Sequence, residues 1–122
     1  MKLQLATAGG QNLFTGYGPG YVAINNVRHE KHTVVTADSI TDWNVGGFEE
    51  LGVEHFESLL ALKPEIVILG TGATLRFPRP ELARLAAATG IGLEIMDSNA
   101  ACRTYNILIA EGRKVLAAIL VV

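Results

Sequence analysis

The sequence predicts an α/β fold in which helices cover a mostly parallel sheet and an N-terminal β-hairpin forms an added layer. Three observations carry this. Before Val53 the chain is dominated by β signals, and after it helical and strand patterns alternate. The stretches 65–69, 81–89 and 92–96 read strand, helix, strand, a βαβ unit expected to be right-handed and parallel. Residues 115–121 are apolar on both faces, as in a central strand covered from two sides.

Each element follows from local chemistry. Gly18-Pro19-Gly20 is a turn, and Tyr21–Ile24 is a strand. Asn25-Asn26 supplies residues that tolerate positive φ in a tight hairpin turn. His32–Thr36 is rich in β-branched residues, Ala37-Asp38-Ser39 is turn-like, and Ile40–Val45 continues as a strand until Gly46-Gly47. Phe56, Leu59, Leu60 and Lys63 follow helical spacing up to Pro64. Glu65–Leu69 is a buried strand. Pro80 suits the first turn of a helix whose core stripe is Leu82, Leu85 and Ala86, with Gly90 just past its end. Gly92–Met96 is the next strand. Ser98 is a candidate N-cap for a helix from about Asn99 to Ala110, with Gly112 as the residue after its end. Spacing leaves the direction of the last strand open.

Composition narrows the function. At 122 residues and 49% apolar content, one domain spanning 1–122 can bury a core without covalent staples. A net charge of −2 speaks against a nucleic-acid binder, which carries a basic stripe. The single cysteine, Cys102, excludes an internal disulfide and suits a reducing compartment. The N-terminal apolar stretch is too short and interrupted for a secretory segment, and the longest apolar run, Val115–Val122, falls far below the roughly 20 residues that span a bilayer. The expectation is a cytoplasmic protein. Charge is nonetheless uneven. Six acids (Asp38, Asp42, Glu49, Glu50, Glu54, Glu57) lie between Lys31 and Lys63 without a Lys or Arg, and three arginines lie between Arg76 and Arg84. Such a surface is either solvated or steers a partner or an anion.

One constellation could hold a ligand. If strands 65–69 and 92–96 are parallel, their C-terminal ends share the sheet edge where open α/β sheets bind ligands. Gly70-Thr71-Gly72 follows the first and Asp97-Ser98 the second. Glycines let backbone N–H groups approach a ligand, and a helix N-terminus favours an anion. Asn99, Arg103 and Asn106 share one stripe of the following helix, so Arg103 could reach Asp97 or a bound carboxylate or phosphate. The loop lacks the third glycine of a dinucleotide fingerprint and the Gly-Lys-Ser/Thr ending of a phosphate loop. An ordinary turn, with Ser98 as a plain cap, competes with a small anionic ligand here.

Other chemistry is weaker. Cys102 lies in the first helical turn, but His29, His32 and His55 are distant in sequence, so it reads as a small core residue. His29 and His32 have no further ligand pattern, and no metal or cofactor is expected. The spacing of Asp38, Asp42, Glu49 and Glu50 specifies no paired carboxylates. Phe14, Tyr17, Tyr21 and Trp43 read as core or interface anchors.

Three stretches together resemble a known family: Gly20-Tyr21-Val22-Ala23-Ile24-Asn25, Ile68-Leu69-Gly70-Thr71-Gly72, and Met96-Asp97-Ser98-Asn99-Ala100-Ala101-Cys102-Arg103-Thr104-Tyr105-Asn106, the last followed by Glu111-Gly112-Arg113 and an alanine-rich strand. The family consists of small α/β domains, largely of unknown function in bacteria, whose eukaryotic members include a mitochondrial complex I (NADH dehydrogenase) assembly factor. The resemblance covers nearly the whole chain and is most specific over 96–113. It implies three layers, with a mixed, mostly parallel central sheet between helices and a β-hairpin beside one layer, and a last strand antiparallel to its neighbours. It implies no reaction and no catalytic residue.

Two functions follow as expectations. One is a non-catalytic binding or assembly module, with a protein partner or self-association through the β layer around Tyr17–Tyr21 and the acidic segment 38–57. The other is a small-anion or nucleotide-like ligand site, with possible enzyme activity, at Gly70, Thr71, Gly72, Asp97, Ser98, Asn99, Arg103 and Asn106. The balance leans away from an enzyme.

Overall fold

A computed structural model describes residues 10–122. The strands are β1 (Phe14–Gly18), β2 (Tyr21–Ile24), β3 (Val27–His29), β4 (Thr33–Thr36), β5 (Ser39–Asp42), β6 (Ile66–Gly70), β7 (Gly92–Met96) and β8 (Val115–Ile119). The helices are α1 (Val53–Leu60), α2 (Pro80–Ala88) and α3 (Ser98–Ala110), with a single 3-10 turn at Phe48–Glu50.

Strands β1, β2 and β3 form an antiparallel sheet, and the other five form a mixed sheet in the order β5-β4-β8-β6-β7. The βαβ unit is parallel as its sequence implied, with Ile66 opposite Gly92 and Gly70 opposite Met96. β8 is the junction. It runs parallel to β6, with Val115 opposite Ile66, and antiparallel to β4, with Ile119 opposite Thr33. The last strand is therefore antiparallel to only one neighbour, where the family resemblance implied both. The crossover through α3 returns β8 beside β6 in the same direction, whereas β4 enters from the hairpin side.

Period-two alternation separates two cores. Val115, Ala117 and Ile119 of β8 join Ile68, Val35, Phe14, Tyr17, Ala101, Tyr105 and Ile109. Leu116, Ala118 and Leu120 face the other way, with Val34, Val67, Leu69, Phe56, Leu59, Leu82 and Ala86. Thus α3 and the three-stranded sheet cover one face, and α1 and α2 cover the other. Each fully buried Leu, Ile or Phe contributes roughly 1.5–3 kcal/mol, so a strand buried on both faces anchors both layers.

The hairpin region is more divided than its sequence indicated. Positive φ at Asn25 (51°) and Asn26 (66°) makes the β2–β3 turn, as anticipated. β1 extends that hairpin into a three-stranded sheet, while β4 and β5 belong to the central sheet. Thr15 is an extra residue in β1, between Phe14 opposite Ile24 and Gly16 opposite Ala23, and its hydroxyl accepts the Asn26 N–H at 2.9 Å. Strand β5 ends at Asp42 rather than Val45, because Trp43 turns its ring into the α1–α2 core. Asparagines join the two sheets. The Asn12 side chain donates to the Thr36 carbonyl at 3.0 Å and accepts from the Asn25 amide at 2.8 Å.

The end of β8 is held by a histidine. His32 Nδ1 accepts the Val121 N–H at 2.9 Å, which requires an unprotonated Nδ1. Burial lowers the His32 pKa from 6.5. The unfolded chain therefore takes up this proton first as pH falls. The stability held by the neutral ring is fully present above about 6.5 and is lost below it, toward the lowered folded value. Urea midpoints measured from about pH 7 to about pH 5 should fall, and His32→Gln should flatten that slope.

Candidate functional site

The sheet edge beyond β6, β7 and β8 brings Gly70, Thr71, Gly72, Asp97 and Ser98 together as their spacing suggested. What occupies the loop is the chain itself. Ser98 is buried, and its hydroxyl accepts the Gly72 N–H at 2.8 Å and donates to the Leu120 carbonyl at 2.6 Å. The Ser98 N–H in turn donates to the Gly72 carbonyl at 2.9 Å. Ser98 thus stands where an anion's oxygen would meet the loop. It is the first residue of α3 rather than its cap. Asp97 is the N-cap, its carboxylate accepting the Ala100 N–H at 2.9 Å and laying a negative charge on the helix N-terminus.

The glycines serve this closure. A Cβ on Gly70 would lie 3.0 Å from the Ser98 Cα and 3.0 Å from the Ile119 side chain, so only glycine lets α3 start this close to the sheet. Gly72 adopts a φ of 102°, which turns its N–H toward Ser98. Thr71 is fully buried. Its N–H donates to the Met96 carbonyl at 2.9 Å, its hydroxyl donates to the Thr74 carbonyl at 2.7 Å, and it accepts the Arg76 N–H at 3.1 Å.

The stripe on α3 turns away from this loop, toward the three-stranded sheet. Arg103 donates to the Tyr17 hydroxyl at 2.6 Å, rather than meeting Asp97. Asn106 accepts the Phe14 N–H at 2.9 Å and donates to the Phe14 carbonyl at 2.8 Å. Its amide acts as a one-residue strand partner for β1, and Phe14 then meets Tyr105 edge-on at 5.2 Å between ring centroids. Asn99 is exposed and borders a cleft of about 360 Å³, together with Gly18, Tyr21, Gly72, Ser98 and Val122. Of the candidate residues, Gly72, Ser98 and Asn99 line this cleft. Gly70, Thr71, Asp97, Arg103 and Asn106 do not.

Tyr17 is buried, so the surface expected around Tyr17–Tyr21 reduces to the exposed Pro19-Gly20 turn and the half-buried Tyr21, over whose ring Arg28 stacks at 4.0 Å. Cys102 is fully buried, and loss of solvation pushes its thiol up to about 12, partly offset by Arg103. No group of three or more metal-ligating side chains occurs among the described residues. A larger cleft of about 720 Å³ lies at the opposite edge of the sheet, between Asn12, Thr36, Asp38, Leu62 and Lys114. No motif in the sequence pointed to it, since its lining comes from four separate segments that only the fold assembles.

This arrangement defines a small mixed α/β domain with a side sheet clamped to one helix. The chain belongs to the family described as proteins of unknown function DUF498/DUF598, whose model matches residues 14–120. It is 37% identical over 84 residues to NADH dehydrogenase (ubiquinone) 1 alpha subcomplex assembly factor 3 of Bos taurus, a match covering 67% of this chain and 46% of that protein. The chain thus spans about half the length of the assembly factors it matches. It is 28% identical over 104 residues to a 13 kDa major membrane protein of Francisella tularensis, covering 84% of this chain and 85% of the other. The crystal structure of a Bordetella parapertussis protein superposes with a TM-score of 0.88 at 36% identity, covering 95% of this chain and 100% of that one. Among the described residues, no helix is long and apolar enough to cross a membrane.

Three substitutions separate closure from binding. Ser98→Ala strands the Gly72 N–H and the Leu120 carbonyl, and should cost about 3 kcal/mol in chemical denaturation. Asn106→Ala strands both polar groups of Phe14, at about 2 kcal/mol. Arg103→Ala, at an exposed position, should cost about 1 kcal/mol or less. Cys102 should react with a thiol reagent only as fast as the chain unfolds, which a comparison of labelling and unfolding rates measures.

Proposed function

We propose that this chain is a non-catalytic binding module that acts in assembling a protein complex, of the NADH dehydrogenase type in hosts that have one. Its relation to the assembly factors carries the reading. The internal use of the Gly70–Gly72 loop supports it, since Ser98 already takes the N–H that a ligand would use. The module engages a protein partner or another copy of itself, without nucleic acid, and works in the cytoplasm. Affinity isolation of the tagged full chain from its native host should recover a stoichiometric partner, and deletion should lower the amount of assembled NADH dehydrogenase. Recovery of the tagged chain with neither another protein nor an untagged copy of itself, and normal assembly on deletion, would count against it. Fractionation of the same host checks the compartment.

A second reading is a small-anion or nucleotide-like ligand at the cleft beside Gly72, Ser98 and Asn99, favoured by its volume of about 360 Å³ and by the exposed Asn99 that lines it. A ligand at about 100 times its dissociation constant adds about 2.7 kcal/mol to stability. Thermal shift with phosphate, citrate and ATP tests this. No shift with any of them, or a shift that survives Asn99→Ala, removes it.

A further inference from the structure

We propose that the face formed by residues 48–54 and the loop 73–79 docks a second copy of this chain. The loop is ordered in an inverted sense. Arg76 stacks its guanidinium over the Phe48 ring at 4.3 Å and pairs with Glu49 at 2.7 Å. Arg79 donates to the Leu51 carbonyl at 3.1 Å and pairs with Glu81 at 3.1 Å. The Thr71 hydroxyl holds the base of the loop through Thr74 and Arg76. With its arginines turned onto their own chain, the loop holds Leu75 (51% exposed) and Phe77 (72% exposed) out in water, and Val53 (37% exposed) is a further exposed apolar side chain in the segment 48–54 that the arginines bind.

A loop shaped only by solvation would present its arginines and tuck its phenylalanine away. Ordering these side chains before contact removes part of the entropy cost of association, which suits an apolar centre ringed by charge. The charges select the occupant. The acidic stretch Glu49, Glu50, Glu54 and the basic residues Arg76 and Arg79, separate in sequence, adjoin here through the Arg76–Glu49 pair and the Arg79–Leu51 hydrogen bond, and Arg84 lies further along α2, which packs on α1. Among the described residues, Glu50 and Arg84 make no ion pair within their own chain. A face carrying both signs side by side is complementary to itself under a two-fold rotation, the symmetry of most homodimers. An anionic membrane or nucleic acid would meet three glutamates at the same place. This contact rests on that reading in committing its self-association to one face, and a monomeric chain would remove it while leaving an assembly role with a different protein partner standing.

Sedimentation equilibrium of the full chain tests it. The expected result is a reversible dimer. Phe77→Asp should raise its dissociation constant about 30-fold or more, the scale of a central aromatic anchor. The melting temperature of the dissociated chain should not change, since Phe77 is exposed in the single copy. Ile107→Asp, at a 58% exposed apolar position on α3, should leave the dimer intact. A chain that stays monomeric to about millimolar concentration, where specific homodimers form, or a dimer indifferent to Phe77→Asp, overturns the proposal. So does Phe77-dependent binding of vesicles, or of a different purified protein, by a monomeric chain.

Discussion

The structure depends on β8, a strand with two apolar faces. Val115, Ala117 and Ile119 point to one core, and Leu116, Ala118 and Leu120 to the other, each nearly inaccessible to water. Such a strand is stable only with a layer on either side and a hydrogen-bonded neighbour on either edge. The parallel βαβ half supplies β6, and the hairpin half supplies β4. The alanines at 117 and 118 leave room at the middle of the strand for α3 on one face and α1 and α2 on the other. The mixed sheet is the consequence of joining two differently built halves at one buried strand.

A second constraint acts at the sheet edge. Strand ends and a helix start there would leave N–H and carbonyl groups unpaired in the interior, at roughly 1–3 kcal/mol each. Ser98 resolves this with one hydroxyl that bridges the loop after β6 to the end of β8. Asp97 neutralises the helix dipole from within the chain. On the outer side of α3, Asn106 does for β1 what a neighbouring strand would do. Short polar side chains on α3 therefore clamp the side sheet and close the loop, and the features that resemble an anion site are used in assembling the fold.

That usage bears on function. The residues that resemble a ligand site are engaged in the protein's own architecture, and the proposed binding role draws on that engagement. The proposed assembly role rests on the similarity to complex I assembly factors, and the proposed contact centres on the exposed Phe77 and Leu75. The ordered loop that carries them springs from the same Thr71 that closes the sheet edge, so the proposed contact and the fold share one foundation.

Local chemistry in the sequence determined much of this protein. Proline at the start of α2, Gly90 and Gly112 after helices, the Asn25-Asn26 turn, the βαβ unit and the two-faced last strand were all legible, because each depends on neighbours a few residues away. The grouping of Gly70–Gly72 with Asp97-Ser98 was legible too, since parallel strands must end together. Tertiary structure alone decided the rest. Whether β8 runs with or against a neighbour, which strands leave the hairpin for the central sheet, and whether Arg103 meets Asp97 or Tyr17 all depend on partners up to 86 residues away. Hydrogen-bond capacity is written in a residue's type, but its use is settled only when folding brings a buried donor or acceptor within reach. The Ser98 hydroxyl could have capped a helix or held an anion. The strand ends left without partners at the sheet edge required it.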